Sequence, residues 1–188
     1  ELLVLIDGQP QYAGLMGHPV PDAYQTMMAE KVEVLRGPAS LLYGSNAMAG
    51  VINIVTRQMH KDGIVTDIQL QGGSYGTLQI DVSSRLKKGK FSSIIGAQYQ
   101  RTDGHRTNSK FEQFGGFFKL TYDISSHWKA TGDINVTHFN TDNPGTTDEP
   151  LIDNTFKITR GLASISLNNS YALTSGSLRA YFDWGHHN

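Results

Sequence analysis

The sequence contains no cysteine. Disulfides and thiolate metal sites are therefore excluded, whereas compartment is left open, because many exported proteins manage without either. There is no charge excess. Sixteen Lys and Arg face 17 Asp and Glu for a net charge of -1, and no basic stripe interleaved with aromatics occurs, so the electrostatics give no reason to expect nucleic acid. No apolar run approaches the roughly 18 residues of a transmembrane helix. A transmembrane β-barrel is not excluded, since its strands need only about 9–11 residues, half of them polar. Catalytic signatures are missing too: there is no nucleophile elbow, no H-E-x-x-H and no phosphate-cradling G-x-x-x-x-G-K-[ST], so the chain reads as a non-enzyme without cofactors. "ELLVLIDGQP" at the start has no basic segment before its apolar run and is not a signal peptide. An abrupt start on a strand and an end on "DWGHHN" are expected of a piece of a longer protein.

What is present falls into two regions with different patterning. Residues 1–60 mix short elements: a strand at Leu2–Ile6, a Gly- and Pro-rich loop to Pro21, a short helix over Asp22–Met28 and a strand over Lys31–Leu35. Gly37-Pro38 breaks the chain, Ala39–Tyr43 makes one helical turn that Gly44 ends in the left-handed conformation, and Val51–Val55 is a further strand. This is an α+β pattern.

From Ile64 onward the period becomes two. In "TLQIDVSSRL" Leu78, Ile80 and Val82 share one face, and Gln79, Asp81, Ser83 and Arg85 the other. "KATGDINVTH" and "SLRAYFDW" repeat the alternation. About seven such segments fall at roughly 64–72, 76–86, 91–101, 112–122, 127–139, 157–171 and 176–185. Tight turns ("KKGK", "DISSH", "ALTS") alternate with long connections ("TDGHRTNSK", "NTDNPGTTDEPLIDN"), as in a transmembrane meander. Only the connection around Gly72–Gly76 is short where a long one is expected. Aromatics cluster near strand ends: Phe91, Tyr122, Trp128 and Tyr171 beside the tight turns, and Tyr99, Phe114 and Trp184 beside the long connections, giving two interfacial belts. A soluble β-rich binding or adhesion module is the rival, since its strands alternate as well. Strand length argues against it, because soluble strands peak at about 5–6 residues.

The stretch "VEVLRGPASLLYGSNAMAGVINIVTR", 32–57, resembles the end of the plug domain of TonB-dependent outer-membrane receptors. The residues that carry the resemblance are Glu33, Arg36-Gly37-Pro38, Tyr43-Gly44, Gly50 and Val51-Ile52-Asn53-Ile54, with "LVLIDGQP" at 3–10 similar to an earlier plug strand and turn. Ala49 departs from the family, many of whose members have Gly there. The resemblance implies the C-terminal part of a plug over 1–60, followed over 61–188 by the first strands, about seven of some 22, of an antiparallel transmembrane β-barrel. It also implies the outer membrane of a Gram-negative bacterium, contact with outer-membrane lipid, and energy from the TonB complex acting through a plug segment that this chain does not carry. The implied role is uptake of a scarce nutrient, first a ferric siderophore, with haem and cobalamin behind it. The long connections are expected outside the cell and the tight turns on the periplasmic side.

Candidate sites follow. The loop at 9–21 lies where such receptors place an apical, substrate-contacting loop, and its "YAGLMG" run resembles that of vitamin B12 receptors; Tyr12, Leu15, Met16 and His18 are the candidates, weighed evenly against a loop packed on the barrel wall. His18 is the natural haem or metal suspect, but a lone histidine beside a proline, with no second histidine at ligand spacing, is more often an ordinary loop residue; His186-His187, adjacent on a strand, point to opposite faces and chelate poorly. Asp142, Asp148, Glu149 and Asp153 are weak calcium candidates without EF-hand spacing. Arg36, after an alternating strand and before a rigid Gly-Pro, is expected to be structural: the resemblance implies a place against acidic groups on the barrel wall, and a buried arginine must be paired, since leaving one unpaired costs several kcal/mol.

Overall fold

The computed structural model describes residues 2–10, 28–37, 47–152 and 154–188, and these form two compact units, Glu1–Gln58 and Met59–Asn188. The helix expected over Asp22–Met28 and the turn over Ala39–Tyr43 lie outside the described residues, apart from Met28, which sits in a turn.

The first unit is a mixed sheet of four strands: β1 (Leu2–Ile6), β2 (Gln9–Pro10), β3 (Ala29–Arg36) and β4 (Gly50–Thr56), in the order β2-β1-β4-β3. Strand β1 runs parallel to β4, while β3 is antiparallel to it. The unbroken apolar run "LLVLI" is explained by burial of β1 on both faces, as parallel-paired strands require. On one face Leu3 and Leu5 pack with Ala47 and Val51; on the other Val4 and Ile6 pack with Ile54, Ala29 and Ile52. Leu3 and Leu5 keep only 2% and 1% of their surface exposed. The short β2 was not anticipated from sequence. It exists because Asp7 and Gly8, both at positive φ, fold Gln9 back against Ile6.

The second unit is one antiparallel sheet of seven strands in chain order, β5 (Gly63–Gly73), β6 (Thr77–Lys88), β7 (Phe91–Thr102), β8 (Phe111–Asp123), β9 (Trp128–Asp142), β10 (Thr155–Ser170) and β11 (Ser175–His187). The sheet is open, with β5 and β11 as its edges. All seven expected strands are present within a few residues of their expected ends. Residues 72–76 do carry the letters G-x-S-x-G, but they join two antiparallel strands, with Tyr75 and Gly76 at positive φ, whereas a nucleophile elbow joins a strand to a helix.

The two faces of this sheet are inverted relative to a soluble β-protein. On the apolar face Ile68, Leu70, Ile95, Phe114, Phe118, Ile134, Ile165 and Phe182 are exposed. On the polar face Asp81, Ser83, Gln113, Asn135, Thr137, Ser164 and Ser166 are buried. Register ties neighbouring strands into continuous rows: Val82 faces Ala97 and Phe118 faces Ile134 on the apolar side, while Asp133 faces Ser164 on the polar side. Polar groups are joined across strands, with Arg85 paired to Asp67 at 2.6 Å, Lys87 to Asp123 at 3.0 Å, and the Ser164 hydroxyl donating to Asp133 at 2.6 Å. A sheet face with this many exposed large apolar side chains is one that soluble surfaces rarely leave to water.

The aromatic belts are also formed. At the tight-turn end Phe91 faces Tyr122, the Trp128 Nε1–H donates to the Tyr171 hydroxyl at 2.9 Å, and His127 stacks on Tyr171. At the other end the Tyr99 and Phe114 rings lie 4.8 Å apart. Trp184 lies over Gly161, where a Cβ would run into the indole, so glycine there makes room for the belt residue.

Candidate functional site

The plug-like signature folds into a bracket around the first hairpin. Asn53 on β4 is its centre: its side-chain N–H donates to Glu33 on β3, and its carbonyl oxygen accepts the Gly8 backbone N–H, both at 2.9 Å. Asp7 closes the other side by accepting the Thr56 backbone N–H at 2.9 Å and the Thr56 hydroxyl at 2.7 Å, while its own N–H donates to the Ile54 carbonyl. The bracket therefore joins β3, β4 and the β1–β2 turn. Glu33 also pairs with Lys31 at 2.6 Å. The Lys31 hydrogen bond first, then that of Asn53, holds the Glu33 carboxyl below its ordinary value, and the Glu33 bond raises the Lys31 ammonium.

Gly50 is fixed by space as well as by conformation. It has φ +139°, and a Cβ there would meet the Leu35 carbonyl oxygen at 2.5 Å across the β3–β4 pair. Gly37, at φ +91°, turns the chain out of β3. Arg36 is the register partner of Gly50, and it is exposed within the described residues. Pro38, Tyr43 and Gly44 lie outside the described residues, as do Tyr12, Leu15, Met16 and His18. Of the signature, then, Glu33 and Asn53 are brought into contact, and Arg36 and Gly50 into register. Asp7, Gly8 and Thr56 were missed by sequence reasoning, although the Asp-Gly pair marks the turn. Such an arrangement of hydrogen bonds and tight backbone contacts rigidifies and offers no nucleophile or proton relay.

In the second unit the connections on one side are all tight, at 89–90, 124–127 and 171–174, and those at 103–110 and 143–154 on the other are long. The Asp142 carboxylate accepts the Lys110 backbone N–H at 3.2 Å and the Thr155 hydroxyl at 3.1 Å. Asp148 and Glu149 are exposed, Asp153 lies outside the described residues, and among the described residues no three His, Asp or Glu side chains are placed to hold a metal ion. A cavity of about 240 Å³ beside the long connections is lined by Arg101, Lys110, Glu112 and Asp142 among others. That is below the roughly 300–1,000 Å³ of ligand pockets, and its charges are mixed.

Comparison with known proteins places these features. Residues 1–51 match the family model "TonB-dependent Receptor Plug Domain". The solved siderophore receptor PirA from Pseudomonas aeruginosa is similar over 100% of this chain and 33% of its own, at 20% identity and a TM-score of 0.73. The copper transporter OprC is similar over 99% of this chain and 30% of its own, at 14% identity and a TM-score of 0.80. The ferripyoverdine receptor of the outer membrane of Pseudomonas aeruginosa, solved bound to ferripyoverdine, is similar over 94% of this chain and 27% of its own, at 14% identity and a TM-score of 0.78. At these identities the likeness is one of fold, and the chain spans about a third or less of the solved structures it matches.

Proposed function

Starting from the chain as a fragment of a TonB-dependent receptor, plug segment first and barrel strands after it, we propose that it serves energy-coupled uptake of a ferric siderophore across a Gram-negative outer membrane. Residues 1–60 are the C-terminal part of the plug and 61–188 the first strands of the barrel. One observation carries the reading: a segment matching the plug model is followed by a sheet whose apolar face is exposed and whose polar face is buried. A lipid-facing barrel needs that inversion, and a soluble binding or adhesion module does not have it. In the complete receptor the long connections lie outside the cell, the TonB complex engages a plug segment beyond this chain, and the apical loop with Tyr12, Leu15, Met16 and His18 meets the substrate. Within these residues, the Asn53 bracket keeps the plug sheet rigid while the loops do the binding.

A copper substrate is the second reading. It is favoured by Met16 and His18, whose thioether and imidazole suit copper, in the loop that would face the substrate, and by the fold shared with a copper transporter. Haem and cobalamin rank behind both. Equilibrium binding on the intact receptor in detergent, with ferripyoverdine, ferric catecholates, haem, cobalamin and Cu(I) as separate probes, decides among them. Saturable binding of a ferric siderophore is the expected result, and binding of Cu(I) alone, lost in Met16→Ala, would replace it with the copper reading.

A further inference from the structure

The two long connections, 103–110 and 143–152, are joined by contacts that neither makes alone. Arg106 reaches from the first to the second, its guanidinium donating to the Gly145 carbonyl. The Asn108 side-chain amide donates to the Leu151 carbonyl, and at the base the Asp142 N–H donates to the Lys110 carbonyl at 2.8 Å while the Lys110 N–H donates to the Asp142 carboxylate at 3.2 Å. Each connection is internally shaped to present its half of the junction. In the first, the Arg106 N–H donates to the Ser109 hydroxyl and Ser109 donates back to the Arg106 carbonyl, with Gly104 at φ +78° in a space that a Cβ would fill with Ser109. In the second, Gly145 bridges to Pro150, the Leu151 N–H donates to the Pro144 carbonyl at 3.0 Å, and Gly145 sits at φ +67° with its missing Cβ 2.5 Å from the Glu149 carbonyl oxygen.

We propose that these two connections order and open as one unit, latched through Arg106, so that a perturbation of either is felt in the other. Among the described residues the Arg106 Nε is buried without a hydrogen-bond partner. The closed junction is thus one bond short of full satisfaction, and opening it lets water complete the guanidinium, which makes the latch breakable. If the long connections contact substrate, as the proposed function has it, the latch regulates how a contact on one is transmitted to the other; the coupling itself does not depend on that reading.

Coupling between two segments is reciprocal, and that supplies the test. Hydrogen exchange is measured on the intact receptor in detergent without ligand. Arg106→Ala is expected to raise amide exchange in 145–151 on the order of tenfold, the loss of one charged hydrogen bond. Arg106→Lys, which keeps the charge and a donor, recovers part of the protection. Gly145→Val, made on the other side of the junction, is expected to raise exchange in 104–109. Protection of β7 to β10 must stay at its wild-type level, and Asn108→Ala replaces any variant in which it does not. A rise confined to the mutated connection in either direction overturns the proposal, as does unchanged exchange at 145–151 in Arg106→Ala. Because no substrate is added, loss of the siderophore reading would leave this result standing.

Discussion

Both units are sheets, short strands in the first and long alternating ones in the second, and they bury opposite kinds of side chain. In the first unit, apolar side chains on β1 and β4 close two small cores, and Leu3, Leu5 and Val51 are almost fully buried. In the second, equally apolar side chains stand exposed along the sheet, with Ile68 at 67% and Leu70 at 69%, while Gln113, Thr137 and Ser166 are buried. Periodicity alone tells which residues share a face, not which solvent that face meets. The sign of the face is what separates a sheet folded in water from one that meets lipid, and the two units of this chain differ in that sign.

The contrast is broken most severely inside the first unit at Gly50. Gly50→Val adds a side chain at φ +139°, directly against the Leu35 carbonyl, and is expected to cost roughly 3 kcal/mol or more, enough to separate β3 from β4. Limited proteolysis of the intact receptor should then cut within 29–57 while β5 to β11 stay protected. Wild-type resistance in that segment would mean that the β3–β4 contact does not hold the plug sheet together.

A charge on the exposed face sharpens the difference between the units. Ile134→Arg is expected to weaken membrane insertion by about 2–4 kcal/mol, the penalty for a cation on the lipid face near the bilayer midplane. Asn135→Arg, one residue on and on the opposite face, should cost clearly less. Folding into vesicles, followed by the heat-dependent gel shift of folded barrels, reads both. Equal losses would erase the distinction between the faces.

At the bracket the expected effect is smaller. Asn53→Ala removes one bond to the Gly8 backbone and one to the Glu33 carboxylate, a loss of about 1–3 kcal/mol to the local stability of the first unit. Hydrogen exchange at Gly8 and in β3 should rise while the second unit is unchanged. An unaltered Gly8 amide would show that the bracket is not what holds the first turn.

The smallest effect is a pH dependence of the first unit alone. The Glu33 carboxyl is held below the ordinary 4.5, so its contribution is complete above that value and is lost as pH falls through the lower folded value. Lys31 is raised above 10.5, so its contribution is complete below that and is lost as pH rises through the higher folded value. Both groups are exposed, and the exchange rates of β3 should change only slightly, at the two extremes, and not between about pH 5 and 10. A transition near neutral pH in β3 would point to a different group.

Much of this was legible from residues alone. Alternation over 64–185 located seven strands because each side chain there serves only one face, and the tight turns at Gly89 and 124–127 carry their own chemistry. "LLVLI" reads as a strand because it is apolar throughout, and "VINIV" because all but Asn53 of its residues are β-branched and apolar. The Asn53 bracket was not legible: Asn53 meets Gly8 across 45 positions and Asp7 meets Thr56 across 49, and neither spacing follows from a local period. Strand β2 escaped because Gln9-Pro10 is too short, and too proline-marked, to read as a strand. The pairing expected for Arg36 rested on resemblance to a whole receptor, and within the described residues the side chain is exposed. The substrate-loop candidates Tyr12, Leu15, Met16 and His18 lie outside the described residues, and their chemistry is read from side-chain type alone.

The inversion of faces is tested most directly on β9. These 188 residues contain no cysteine, and single cysteines placed in turn at 132–137, in an intact receptor whose remaining sequence is also made free of cysteine, can each be spin-labelled specifically. In lipid bilayers, label accessibility to oxygen should alternate with a period of two, highest at 134 and 136 and lowest at 133, 135 and 137, while accessibility to a water-soluble nickel chelate stays low at 134 and 136. Oxygen maxima at 133, 135 and 137, or a flat profile, would contradict the lipid-facing assignment of the sheet.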